Sequence, residues 1–396
     1  MGITNFSLLL QSLKTDKIIP FDSILIDAQS LLYGAIDGTW KESEHDIMLD
    51  MCYKVEIDIG NILNTLFKSN LFENELHVVI SFDGEGVPMK WPIQQKRRDK
   101  PAEGRNLYKI VLFGNNIISQ KVYRHLRESL TNFDQFNKRY LQRYIPQTIK
   151  FILSGSNMEG EGEHKLFHIA RKYSLKKPII VSEDNDVFIL AYKQFKTFES
   201  VQIRKKQNVI YNLRELMYDS KILVNASLLF GNDFIPSVVT ITVNNFNTIH
   251  DALYHFSIEH QNDDLPELFC FVLKHLCDKS KIRYKKVPFV DYELILEFWK
   301  TCLWVLDYYT SPNFPQKFIL NGLYDAFDRN SIVTALLDVE YSKCIYYEAR
   351  TKYSSLESHP IENSSIPVMQ LDQVKRFLIT ACDNQKGDII EIKKST

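Results

Sequence analysis

The apolar positions of this chain fall into two kinds of run. The short kind is built from Ile, Val and Leu and leads into acids. Ser23-Ile24-Leu25-Ile26 runs into Asp27, His77-Val78-Val79-Ile80-Ser81-Phe82 into Asp83, and Pro178-Ile179-Ile180-Val181-Ser182 into Glu183-Asp184. Unbroken apolar runs of this length predict strands buried on both faces, as in a parallel sheet. The long kind is helical. Residues 50–69 carry apolar side chains at helical spacing, 118–143 read as one charged amphipathic helix, 162–174 as another, and Leu31-Leu32 place a helix after Asp27. Up to about residue 245 the two kinds alternate, which predicts an α/β fold with a wound, mainly parallel sheet and flanking helices. Farther on, residues 265–278 and 291–309 are helical and rich in Leu, Phe, Trp and Tyr, so that region is expected to be mainly α. The expected domains are therefore 1–245 and 246–396. Residues 279–286 read as a basic solvated loop, and the polar tail after 384 is expected to fray.

Composition narrows this only a little. The 396 residues carry a formal net charge of −1, so any pull on a polyanion must come from a local patch. Six cysteines are scattered without CxxC spacing, which speaks against zinc and for reduced, buried thiols in an intracellular protein. No 18-residue apolar run predicts a membrane span, and the start does not read as a secretory signal.

The acids change the picture more. Asp27, Asp83, Glu161 with Glu163, Asp184 with Asp186, and Asp233 form five short clusters, three of them ending or following a predicted strand. Functional groups of an open parallel sheet gather beyond the carboxyl ends of its strands. Carboxylates converging there repel unless cations neutralise them, and hard divalent ions with oxygen ligands can clamp a phosphodiester. Glu159-Gly160-Glu161-Gly162-Glu163-His164-Lys165 is the strongest local signal: acids two apart, separated by glycine, can serve one ion from a tight turn into a helix. Each cluster also has a plainer reading. Acids favour helix N-termini and turns, and Gly231-Asn232-Asp233-Phe234-Ile235-Pro236 could cap the apolar helix expected at 223–230.

Lys90, Gln94, Arg97 and Arg98 follow Asp83 closely and are suited to gripping a phosphate by charge-assisted hydrogen bonds, against the plainer reading of a solvated basic face. Tyr33, one to two turns beyond Asp27, is placed to stack on a base, though an ordinary core or surface tyrosine reads as well.

Taken together, these motifs resemble the XRN-type 5′→3′ exoribonucleases, a branch of the 5′-nuclease superfamily with a PIN-like core that includes flap endonucleases. Asp27-Ala28-Gln29-Ser30-Leu31-Leu32-Tyr33 is similar to the family's first motif, with tyrosine where histidine is usual. Glu159 to Lys165 resembles Pro-Gly-Glu-Gly-Glu-His-Lys, Asp184-Asn185-Asp186 resembles Asp-Ala-Asp, and the segment from Gly231 resembles Gly-Asn-Asp-Phe-Leu-Pro. The stretch containing Trp304-Val305-Leu306-Asp307-Tyr308-Tyr309 is similar to a helix of the family's later region, without the tryptophan expected after it. The resemblance spans roughly residues 1–245 and fits a compact, virus-like member.

The resemblance implies an enzyme that binds single-stranded RNA with a 5′-monophosphate and releases nucleoside 5′-monophosphates. It implies two Mg²⁺, or Mn²⁺, on the seven acids, the phosphate pocket at Lys90, Gln94, Arg97 and Arg98, and base stacking on Tyr33. It further suggests a cytoplasmic monomer with no membrane association. Two rivals stand beside it. One is a flap-endonuclease-like enzyme acting on DNA, although Ser237 to Asn245 lacks the glycines such enzymes use against a duplex. The other is a non-catalytic scaffold, which has no reason to keep mutually repelling acids.

Overall fold

The computed structural model describes residues 3, 5–36, 44–84, 116–141, 145–155, 160–205, 208–214, 216, 218–260, 264–280, 283–310, 327–355 and 388–393. Its elements along the chain begin with α1 (Phe6–Leu9), β1 (Lys14–Thr15), β2 (Phe21–Asp27), α2 (Ala28–Ile36), α3 (Glu44–Lys68) and β3 (Phe72–Ser81). Next come α4 (Asn116–Thr131), α5 (Phe133–Tyr140), β4 (Thr148–Ser154), α6 (Gly162–Lys172), β5 (Pro178–Val181), α7 (Asp186–Lys193), β6 (Val201–Arg204) and β7 (Ile210–Leu213). The remainder is α8 (Ser220–Ala226), α9 (Phe246–Glu259), α10 (Leu265–Lys279), α11 (Tyr292–Thr310), α12 (Arg329–Leu337), α13 (Val339–Ser354) and β8 (Asp388–Lys393). The chain divides into two compact units. Thr15–Glu183, Phe195–Leu213 and Arg376–Thr396 form a sheet unit; Met1–Lys14, Asp184–Gln194 and Arg214–Lys375 form a helical unit. The change of pattern near residue 245 coincides with no limit of either unit, because the two interleave along the chain.

In the sheet unit the strand order is β1-β7-β6-β5-β2-β3-β4-β8. β6, β5, β2, β3 and β4 run parallel, while β7 and β8 are antiparallel to β6 and β4. The mainly parallel α/β sheet is therefore as expected. From β2 the chain moves outward to β3 and β4, then returns to β2's other side as β5. The strand order thus reverses between β2 and β5, the switch point where such sheets open a crevice at their carboxyl ends. Ile24 and Ile26 of β2, with Val78 and Ile80 of β3, face a cluster that takes Val55, Ile59, Ile62 and Leu66 from α3 and Val122 and Leu126 from α4. Those α3 positions, three and four apart, are the apolar stripe that the helical pattern predicts.

Residues 118–143 do not make one helix. Asn132 leaves helical geometry (φ −93°, ψ 58°), and its carbonyl accepts from Gln135 and Phe136 to start α5. Nor are residues 388–393 frayed coil: β8 pairs antiparallel along β4, Thr148 with Lys393 through Leu153 with Asp388. An edge strand leaves backbone donors and acceptors unpaired, and β8 satisfies those of β4 while Ile390 packs on the core.

The helical unit confirms the mainly α reading of the later region. Trp299 of α11 stacks on Phe269 of α10 (5.2 Å between centroids) and meets Tyr346 of α13 edge-on (5.0 Å). α8 takes its N-cap from Asp219, whose carboxylate accepts from Lys221 N–H, and runs out into a 3₁₀ turn over Ser227–Phe230. Cys52, Cys270 and Cys302 are buried thiols, but Cys344 is exposed, which corrects the expectation for that residue.

Candidate active site

Four of the predicted acids belong to the sheet unit. Asp27 is the last residue of β2, beside the switch point. Its Oδ2 accepts from the Ser182 hydroxyl at the end of neighbouring β5 (2.8 Å), and its Oδ1 from Gln29 N–H (3.1 Å). Asp83 lies two residues past β3, and its Oδ1 accepts from Gly162 N–H at the start of α6 (2.7 Å). The N-terminal dipole of that helix favours the carboxylate. Gly160, at φ 96°, makes the turn before α6, and its carbonyl accepts from Gly84 N–H (2.8 Å), joining this turn to the loop after β3. Glu161 occupies the N-cap position of α6, without a side-chain capping bond, and Glu163 sits in its first turn, both buried.

Gly162 carries the geometry of this group. A Cβ there would stand 3.1 Å from Asp83 Oδ1 and 3.3 Å from Asp27 Oδ1. Two carboxylates from adjacent strand ends therefore converge on one point, and they do so because the residue between them has no side chain.

Lys165, one turn into α6, is 1 % exposed. Its Nζ donates to the Gly155 carbonyl (3.0 Å). Burial pushes its ammonium down to about 7, while Asp83 and Glu163 act to hold the proton. A buried lysine thus sits close to Asp83 and Glu163. Lys165 closes the Glu159–Lys165 motif, and its placement beside the apolar positions Leu166 and Phe167 is the sequence signal that it is buried.

The other three acids belong to the helical unit. Asp184 Oδ1 accepts from Asp186 N–H (3.0 Å), so the turn reading of Asp184-Asn185-Asp186 holds. Burial acts to raise the Asp184 carboxyl and Asp233 does the same. The carboxyl nevertheless lies below its ordinary value, with the Asp186 N–H contributing to the lowering. Asp186, 2 % exposed, accepts from Ile3 N–H on Oδ1 (3.1 Å) and from the Tyr309 hydroxyl on Oδ2 (2.8 Å). Each carboxylate oxygen has two acceptor sites, so Asp186 keeps capacity after both bonds. Asp233 is held by a tight turn. Gly231 opens it at φ 80°, where a Cβ would fall 2.6 Å from Ser237 N, and Asn232 Oδ1 accepts from Phe234 and Ile235 N–H. Phe234 then packs on Trp304 and Tyr308 of α11 (4.9 and 5.0 Å between centroids). The roles of Ser182 at Asp27 and of Tyr309 at Asp186 carry no local signal in the sequence.

Among the described residues, no group of three or more His, Cys, Asp and Glu is arranged to hold a metal ion. Lys90, Gln94, Arg97 and Arg98 lie outside the described residues, as does the Tyr33 side chain, although its backbone belongs to α2.

Asp27 and Asp83 thus meet beyond the carboxyl ends of adjacent parallel strands, the place where α/β sheets of this kind carry their functional groups. The family model described as XRN 5'-3' exonuclease N-terminus matches residues 3–201, half of the chain. The chain belongs to this family of 5′→3′ exoribonucleases. The match includes six of the seven acids and stops short of Asp233. It does not favour the flap-endonuclease alternative. No protein with a curated description matches the chain. Among the described residues, no helix is long and apolar enough to cross a membrane.

Proposed function

We propose that the protein degrades 5′-monophosphorylated single-stranded RNA from its 5′ end, releasing nucleoside 5′-monophosphates by hydrolysis. The convergence of Asp27 and Asp83 on the open face of Gly162 is the observation that carries this reading. The donor set fits Mg²⁺ or Mn²⁺, since all seven acids offer hard oxygens. Mg²⁺ usually takes one or two carboxylates and keeps several waters, so pairs of acids suffice without a closed cage. When bound, such ions supply an activated water and stabilise the leaving 3′-oxygen.

The remaining work falls to the chain itself. Asp27, Asp83, Glu161 and Glu163 would hold the cations on the sheet unit; Asp184, Asp186 and Asp233 are the carboxylates that the helical unit offers for the same purpose. Lys90, Gln94, Arg97 and Arg98 bind the terminal monophosphate by charge-assisted hydrogen bonds. Recognition of a single terminal phosphate by these groups would select against caps and triphosphates by size and charge. Tyr33 stacks on the first base. Water adds to the phosphorus and its bond to the 3′-oxygen breaks; that oxygen takes a proton and leaves as the 3′-hydroxyl of the released nucleoside 5′-monophosphate, while the shortened strand keeps the phosphate as its new 5′-monophosphate. The enzyme acts as a monomer.

The test is incubation with Mg²⁺ and matched RNA and DNA strands bearing a 5′-monophosphate, 5′-hydroxyl or 5′-triphosphate. Mononucleotides released from monophosphorylated RNA alone are expected, and EDTA is expected to stop their release. Cleavage of DNA at a flap, or no cleavage with either metal, overturns the reading.

A further inference from the structure

Residues 284–290, α12 and the start of α13 line a cavity of about 470 Å³ in the helical unit, within the size range of ligand sites. None of the seven acids contributes to it. Three of its walls are aromatic: Tyr284, Phe289 and Tyr341. Phe289 is 81 % exposed, so its ring stands at the cavity's edge with its face open to water. Lys286 is the cation of the described lining, and exposed Arg283 and Lys285 precede it. Asp338 is the lining's acid, but its carboxylate already accepts Tyr341 N–H at the N-terminus of α13 (3.2 Å). The Arg329 guanidinium lies 5.4 Å from the Tyr284 ring centroid and borders a second cavity of about 280 Å³, lined by Thr240, Thr242, Asn245 and Ser280.

An apolar peptide would be matched by an uncharged rim. Here an open aromatic wall is edged by cations in a chain of net charge −1, so the positive charge is a local feature. Aromatic rings with adjacent cations are how proteins bind single strands without reading sequence, one surface taking the base and the other the backbone. We infer that this cavity takes one nucleobase of single-stranded RNA, stacked on Phe289, with the adjoining phosphate against Lys286. The ligand class rests on the RNA-degrading reading above. The site provides a second hold on the strand, insensitive to base identity because every base has a π face.

The test uses the full chain in EDTA with a 5′-hydroxyl oligouridine carrying 4-thiouridine, which needs neither metal nor terminal phosphate. Cross-links are expected in residues 284–290. Phe289→Ala is expected to weaken Kd roughly tenfold, as loss of one stacked base does, and Phe289→Trp to preserve it. The Phe289 side chain is mostly in water, so these variants should fold. Lys286→Glu is expected to weaken binding and to flatten the salt dependence by about one unit of slope. Unchanged Kd in all variants with cross-links elsewhere, or no RNA bound by the wild type, overturns the inference. A parallel cleavage assay on the wild type separates the two claims. Cross-links at 284–290 without cleavage would sink the RNA-degrading reading and leave the cavity assignment standing; cleavage without those cross-links would do the reverse.

Discussion

The two groups of acids are held in different ways. In the sheet unit, Asp27 and Asp83 are placed by strand ends, and their oxygens are met by backbone N–H groups and Ser182. Gly162 keeps the space between them open. In the helical unit, Asp186 is fixed by partners distant in sequence, Ile3 N–H and the Tyr309 hydroxyl. Asp233 depends on a turn anchored by Phe234 against α11. The first group is built from sheet geometry and the second from helix packing. The first should therefore respond to substitutions that alter local space, and the second to substitutions that loosen remote supports.

The largest expected effect breaks the first group directly. Asp27→Ala removes a carboxylate at the switch point, and RNA cleavage is expected to fall on the order of 10³-fold or more, about 4 kcal/mol of transition-state stabilisation. Circular dichroism and the melting curve should stay those of the wild type within a few degrees. Cleavage at the wild-type rate would remove Asp27 from the chemistry and with it the convergence argument.

Gly162→Ala is the sharper probe of the same group. The residue has no positive φ, so alanine suits the helix and stability should change by less than about 1 kcal/mol. The new methyl, however, would stand 3.1 and 3.3 Å from the two carboxylate oxygens. Shifts of a few tenths of an ångström at reacting groups are expected to cost roughly 10- to 100-fold in rate. Steady-state kinetics beside a denaturant titration would separate the two effects. A variant both stable and fully active would show that the carboxylates have room to spare.

Tyr309→Phe tests the second group through its support. It removes the hydroxyl from Asp186 Oδ2 and leaves Ile3 N–H as the other named donor. A hydrogen bond to a buried charged group is worth about 1.5–3 kcal/mol, so a loss of stability in that range is expected. Activity should drop by roughly tenfold, as when an outer partner of a ligand is lost. If stability falls and activity does not, Asp186 is a structural acid and the two groups differ in role as well as in construction.

This contrast also decides what could be read from the sequence. Strands 23–26, 77–82 and 178–182, and the acids at their ends, were legible because a buried parallel strand is a local, unbroken apolar run. Helices α3, α6, α10 and α11 were legible from their apolar spacing. The supports were not. Tyr309 and Ile3 lie 123 and 183 residues from Asp186, and no local pattern records such a pairing. β8 was missed for the same reason. Asp388-Ile389-Ile390-Glu391-Ile392-Lys393 is short and half polar, and only the open edge of β4 makes it a strand. Lys165 was hidden by the usual rule that lysines face water. The family motifs compensated in part, since they marked Glu161, Glu163 and Asp233 without any account of what holds them.

The smallest expected effect compares the units through two histidines outside both acid groups. His250, in α9 of the helical unit, is held below its ordinary 6.5 by burial, with the Leu9 carbonyl and Asp251 acting the other way. Tyr218 Oη lies 3.1 Å from its Nδ1. His77, in β3 of the sheet unit, is lowered by burial and then by Lys150, against Glu75 and Asp22. A histidine with a depressed folded pKa is protonated first in the unfolded chain. Its contribution to stability is therefore complete above pH 6.5 and is lost as pH falls from there through the folded pKa. Both units should lose stability on acidification below about pH 6.5, by an amount smaller than any substitution above. Denaturant midpoints between pH 7.5 and 5 would measure it. His250→Gln should flatten the helical unit's share of that slope and His77→Gln the sheet unit's. A slope unchanged by either variant would assign the acid sensitivity to other groups, and the two units would then be indistinguishable by pH.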